Sequence, residues 1–135
     1  MLRNASALIV CAILLPMLGC DSGPRMYDVS GNVTLDGANA LADGEILFES
    51  EPTPEHAWGP DHARIKDGLF KLKVKEGKHK VRIISDKAIP GTKDMYGKPL
   101  TKNFIDVKYN SETTLTADVG PGKTTFTFDV KSARE

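Results

Sequence analysis

The chain is short of several things, and each shortage excludes something. It has two cysteines in 135 residues, so it can close one disulfide at most. A small fold stapled by several bridges is therefore excluded. Neither charge is in excess, with 18 basic and 18 acidic side chains. That argues against a generally basic nucleic-acid binder and against an acidic tail protein. The run from Ala7 to Gly19 has thirteen residues without a polar side chain, fewer than the roughly 20 that a spanning helix needs. No His-x-x-x-His, Gly-x-Ser-x-Gly or phosphate-loop pattern occurs, so neither a catalytic nor a cofactor motif is legible and no cofactor is expected. After residue 20 no window has helical period. What remains is length enough for one domain, with the 12 glycines and 8 prolines of a turn-rich chain.

The first twenty residues read as an address. Arg3 supplies a positive charge, and the apolar run that follows has the length of a secretory h-region. It ends Met17-Leu18-Gly19-Cys20, which resembles the bacterial lipobox, usually Leu-(Ala/Ser)-(Gly/Ala)-Cys. Gly19 and Cys20 match the pattern, while Met17 and Leu18 are looser substitutes. The resemblance implies a signal peptide over 1–19, a diacylglycerol thioether on Cys20, and N-acylation of that residue after cleavage. The alternative is an ordinary signal peptide with an incidental cysteine. On the lipobox reading Cys11 leaves with the signal and Cys20 carries lipid. No thiol is then left for a disulfide, a nucleophile or a metal. The first expected partner is thus a membrane, held through the lipid on Cys20. The expected location is the bacterial cell envelope, facing the extracytoplasmic space. Residues 20–26 would form a lipidated tether.

From residue 27 a two-residue period sets in. Val29, Gly31, Val33 and Leu35 alternate with Asp28, Ser30, Asn32 and Thr34 and stop at the turn pair Asp36-Gly37. A second strand holds Ile46 and Phe48, and a third Ala63 and Ile65. Asp67-Gly68 is the pair favoured for a tight type I′ hairpin, since both positions need positive φ. A fourth strand turns Phe70, Leu72 and Val74 inward and Lys71, Lys73 and Lys75 outward. A fifth puts His79, Val81 and Ile83 inside and Lys78, Lys80 and Arg82 outside. Leu115, Ala117 and Val119 form a sixth; Phe126, Phe128 and Val130 a seventh. Seven short strands over 27–131 predict an all-β fold, a seven-stranded β-sandwich.

Three segments carry a family likeness: Val29-Ser-Gly-Asn-Val-Thr-Leu-Asp-Gly37, Lys66-Asp-Gly-Leu-Phe70 and Gly77-Lys-His-Lys-Val-Arg-Ile83. Together they resemble carboxypeptidase-regulatory-like domains. Asn103-Phe-Ile-Asp-Val-Lys-Tyr-Asn110 with Thr114-Leu-Thr116 is similar to a branch of bacterial secreted lipoproteins carrying that domain. That branch often reads Ile-Pro-Ala-Lys-Tyr-Asn there; Asp106 and Val107 replace its Pro-Ala. The resemblance spans roughly Val29 to Val130. It implies a transthyretin-like (prealbumin-like) Greek-key sandwich and a non-catalytic module that binds or scaffolds at the cell envelope, not an enzyme. Some bacterial sandwiches of related shape form a Lys–Asn isopeptide bond, but the first strand here contains no Lys.

Two segments break the strand pattern. Glu51 to Asp61 has three prolines and Trp58, which is either a stacking platform or a plug over one end of the core. Asp86 to Glu112 lacks alternation and carries Tyr96, Phe104 and Tyr109; a loop so long is usually functional or disordered. Trp58, Tyr96, Phe104 and Tyr109 are therefore the candidate ligand-gripping set, for a glycan or an envelope protein. For Tyr109 and Phe104 the alternative is to tack the loop onto the sheet.

From His62 to Arg82 eight basic residues face only Asp67 and Glu76, and by parity all eight point outward. Arg64, Lys66, Lys78, Lys80 and Arg82 are the candidate anion-binding group. The alternative is a solvated face, with Glu45 and Glu49 lying across from the basic side chains. The family topology favours that alternative, because it places strand four in the opposite sheet from strands three and five. A metal-dependent accessory or enzyme using Glu55, His56, Asp61 and His62 is the competing function. No established spacing supports it, and no metal site is assigned. His79 shares parity with the core and is expected to be a hydrogen-bonded histidine at its margin.

Overall fold

A computed structural model describes residues 23–52 and 59–134. Cys20, Glu55, His56 and Trp58 lie outside the described residues. The described chain is all-β: β1 (Met26–Leu35), β2 (Asn39–Ala40), β3 (Asp43–Ser50), β4 (Asp61–Lys66), β5 (Leu69–Lys75), β6 (Gly77–Ile84), β7 (Asp86–Ala88), β8 (Thr101–Asn103), β9 (Thr116–Val119) and β10 (Thr125–Val130). A 3-10 turn at Val107–Tyr109 interrupts the strands. Each segment of two-residue period is a strand, because alternation lets one face bury while the other meets water. The count is not seven, however: β2, β7 and β8 are added, two or three residues long each.

The long strands run in one curled sheet, in the order β10-β1-β5-β4-β3-β6-β9. All neighbours on this path are antiparallel except β1 and β10, which are parallel. The curl has an identifiable hinge. β4 and β5 share one register pair, Lys66 with Leu69, around the Asp67-Gly68 turn. Beyond it β5 goes to β1 and β4 goes to β3. Both turn residues have positive φ, 49° and 77°, which is the backbone that an Asp-Gly pair allows. The sheet thus closes over on itself as two layers, the arrangement of a β-sandwich.

The inward set fills the space between the layers. Val29, Val33, Ile46, Phe48, Ile65, Phe70, Val74, Val81, Ile83, Val119, Phe128 and Val130 are buried. Phe48 of one layer meets Phe70 and Phe126 of the other at 6.2 and 6.3 Å between ring centres. Gly31 makes this possible. A Cβ there would overlap the Phe126 carbonyl oxygen and lie 2.8 Å from Phe70 Cζ. Two core residues come from outside the alternating segments, Leu41 and Ile105, each 1% exposed.

The register gives the layers two ends. Met26, Ser50, Asp61, Lys75 and Gly77 define one, where the chain enters from residue 25. Leu35, Asp43, Lys66, Ile84 and Val130 define the other. At about 3.3 Å per residue, the ten residues of β1 separate them by roughly 30 Å.

The stretch 86–112 is held by hydrogen bonds at both its ends. β7 and β8 pair with each other as a hairpin. Asn103 closes its base, its Oδ1 accepting the Ser85 and Ile105 amides at 3.2 Å each. Asn110 then donates through Nδ2 to the carbonyls of Ile105 and Asp106. Thr113 Oγ1 donates to the Val81 carbonyl at 2.6 Å. These bonds satisfy backbone groups that an irregular path would otherwise leave unpaired.

Candidate functional site

The outer face of β4, β3, β6 and β9 carries most of the basic candidates. β3 runs between β4 and β6 and brings its own carboxylates with it: Asp43 lies opposite Lys66, Glu45 opposite Arg64, and Glu49 opposite Lys80. An acidic file therefore separates two basic files. Arg64 clasps Asp43 through Nε and Nη2 at 2.9 and 2.7 Å. The guanidinium hydrogen bond holds the Asp43 carboxyl below the usual carboxylate range and raises Arg64 in turn. Arg82 Nη1 donates to Glu49 at 2.8 Å. Lys78 and Lys80 face Asp118 and Thr116 of β9. Of the five anion-binding candidates, Arg64 and Arg82 are thus engaged inside the domain, and Lys66, Lys78 and Lys80 are spread around the acidic file.

The other lysines go elsewhere. Lys71 and Lys73 are on β5, whose partner is β1, and Lys73 reaches Asp28 at 3.3 Å. Lys75 corrects the parity expectation. Its Nζ turns back to Asp61 at 2.6 Å, and the two side chains are only 13% and 14% exposed. Its backbone amide also donates to Asp61. This pair caps the end of the core where the chain enters. Nearby, the buried His79 ring bonds through Nε2 to the Lys75 carbonyl at 2.8 Å.

The described half of the candidate metal group does not converge. Asp61 and His62 are consecutive on β4, so they face opposite sides of the sheet. Asp61 holds Lys75, while His62 Nδ1 is 2.8 Å from Glu45 on the outer face. Among the described residues no group of three or more His, Cys, Asp or Glu is placed to hold a metal ion. A shallow concavity of about 490 Å³ lies over Asp43, Glu45, His62 and Arg64. Within it Asp43 is paired with Arg64 and Glu45 with His62.

The aromatic candidates are dispersed. Phe104 and Tyr109 pack against the core, and Lys87 Nζ sits 3.9 Å over the Phe104 ring. Both therefore tie the 86–112 stretch to the sheet. Tyr96 stands apart, 81% exposed beside Met95 at 87%. Its hairpin is rooted after Ile84, at the end of the layers away from residue 25. The described flanks of the Trp58 segment, Pro52 and Gly59, belong to the opposite end, next to Ser50 and Asp61. Met95 was not among the sequence candidates; the adjacent pair Met95-Tyr96, set between Asp94 and Gly97 in a turn-rich stretch, is the signal that marks it.

No protein-family profile matches the sequence, and no curated protein does. Two solved structures are similar in shape. A 9R-lipoxygenase from Cyanothece PCC8801 aligns over 78% of this chain and 16% of its own, at 10% identity and a TM-score of 0.44. The major plantain pollen allergen Pla l 1 aligns over 80% of this chain and 93% of its own, at 15% identity and a TM-score of 0.37.

Proposed function

We propose that this protein is a membrane-anchored lipoprotein of the bacterial cell envelope, with a non-catalytic Greek-key sandwich of the carboxypeptidase-regulatory-like, transthyretin-like kind that binds or scaffolds in the extracytoplasmic space. The observation that carries the reading is the position of Cys20. It follows Gly19 directly at the end of a thirteen-residue apolar run and precedes β1 by only six residues. A buried methylene is worth about 0.8 kcal/mol, and one acyl chain alone anchors marginally. Two or three chains on one residue hold a water-soluble body at a bilayer without a spanning helix. The segment between Cys20 and β1 is a short tether. The Arg25 carbonyl already accepts the Glu76 amide at 2.8 Å, so the domain begins where the tether ends.

The outer face supports a module without chemistry of its own. There Asp43 pairs with Arg64, Glu49 with Arg82 and Glu45 with His62, and Asp61 and His62 point apart. The test is fractionation: Cys20→Ser moves the protein from the membrane to the soluble fraction and leaves its melting temperature unchanged. Retention of Cys20→Ser in the membrane fraction refutes the anchor.

A further inference from the structure

The β7–β8 hairpin holds large apolar side chains in water on a hydrogen-bonded turn. Met95 and Tyr96 are 87% and 81% exposed, and Ile89 and Leu100, joined by a backbone hydrogen bond further down the hairpin, are exposed too. Single exposed apolar residues are ordinary, but four on one hairpin, two of them adjacent at its tip, are a concentration. The turn that carries it is built. Asp94 Oδ1 accepts the amides of Tyr96 and Lys98 at 2.8 and 2.9 Å. The backbone closes the same turn, Asp94 N to Lys98 O at 2.8 Å and Gly97 N to Asp94 O at 3.0 Å. Gly97 takes φ 78° there, which a side chain would resist. Thr92 Oγ1 ties off the Ile89 carbonyl at 2.7 Å. A tip fixed in this way loses little freedom on binding, and tyrosine on a rigid support is a common anchor of protein interfaces.

The hairpin carries a net positive charge. Lys87, Lys93, Lys98 and Lys102 lie in the hairpin against Asp86 and Asp94, a net of two positive charges. Lys93 and Lys98 lie one residue beyond Asp94 and Gly97 on either side of Met95-Tyr96. We propose that this tip is a protein-docking element whose partner offers an apolar pocket framed by carboxylates. The choice of a protein over a bilayer rests on the anchor reading above. The tether enters one end of strands roughly 30 Å long, and the hairpin is rooted at the other, so the lipid holds the tip away from its own membrane.

The test replaces Met95 in the full chain with a diazirine-bearing methionine analogue, followed by irradiation of the native host cells. The expected result is one discrete protein adduct, with Asp or Glu beside the modified site in the adducted peptide. Its yield falls roughly tenfold or more in Lys93→Glu/Lys98→Glu and in Tyr96→Ala. It is unchanged in Lys71→Glu on β5. Melting curves of the exposed-residue variants match the parent and exclude misfolding. No adduct, an adduct to lipid, or a yield indifferent to the charge reversal overturns the proposal. Fractionation of Cys20→Ser in parallel reports on the anchor separately, whatever the adduct does.

Discussion

Replacing Ile105 by alanine tests whether the irregular stretch 86–112 is part of the core. Ile105 is 1% exposed and comes from a segment with no strand period. The substitution removes three carbons, worth about 2.4 kcal/mol of transfer at about 0.8 each. The neighbours can relax only partly. The Ile105 amide is held by Asn103, its carbonyl by Asn103 and Asn110, and it bridges to Ser132. A residual cavity of up to about 80 Å³ adds up to about 2 kcal/mol. The expected loss is about 2.5–4.5 kcal/mol, out of roughly 5–15 for a domain. Thermal unfolding followed by far-UV circular dichroism should show a midpoint lower by about 10–20 °C. Val107→Ala, two residues on and 52% exposed, should cost under about 0.5 kcal/mol. A loss below about 1 kcal/mol for Ile105→Ala, or equal losses for both, would show that the stretch is not built into the core.

Three further outcomes follow from the packing and the ion pairs. Gly31→Ala should destabilise severely in urea titration, because a Cβ there overlaps the Phe126 carbonyl and no side-chain rotation can relieve it. Asp61→Ala leaves the Lys75 ammonium poorly solvated and should cost about 1–3 kcal/mol, while Asp28→Ala, which frees the exposed Lys73, should cost under about 0.5. Asp129 is held below the ordinary carboxylate range by Lys131 and then Thr34, as Asp43 is by Arg64. A depressed folded-state pKa contributes stability above the unfolded value and loses it as pH falls through the folded one. Denaturant midpoints should therefore drop as pH falls below the ordinary carboxylate range, less steeply in Asp43→Asn/Asp129→Asn; an unchanged slope would count against these pairs.

Alternation made the long strands legible, and with them most of the core. Val29, Phe48, Val81 and Val130 each sit where a two-residue period requires. What alternation cannot express is partnership. Nothing local in Lys66-Asp-Gly-Leu69 says that β5 will leave β4 after one register pair, although this hinge divides the lysines between two layers. Leu41 and Ile105 were hidden for a related reason: their burial comes from long-range hydrogen bonds around them, not from a repeating pattern. Lys75 follows strand parity in sequence, yet its long stem lets the ammonium reach Asp61 around the strand end. The aromatic candidates looked like one group because all four interrupt the period. Register separates them: Phe104 and Tyr109 lie against the core, and Tyr96 is on a hairpin rooted opposite the flanks of the Trp58 segment. Short strands such as β7 and β8, three residues each, carry too few positions for a period to register.

The anchor is decided most directly by the intact mass of protein extracted from membranes with detergent, with fragmentation of its N-terminal peptide. The expected species is a chain that begins at Cys20 and carries a diacylglycerol thioether and an N-acyl group on that residue. A chain that retains Met1, is cut elsewhere, or carries a free Cys20 thiol would contradict it.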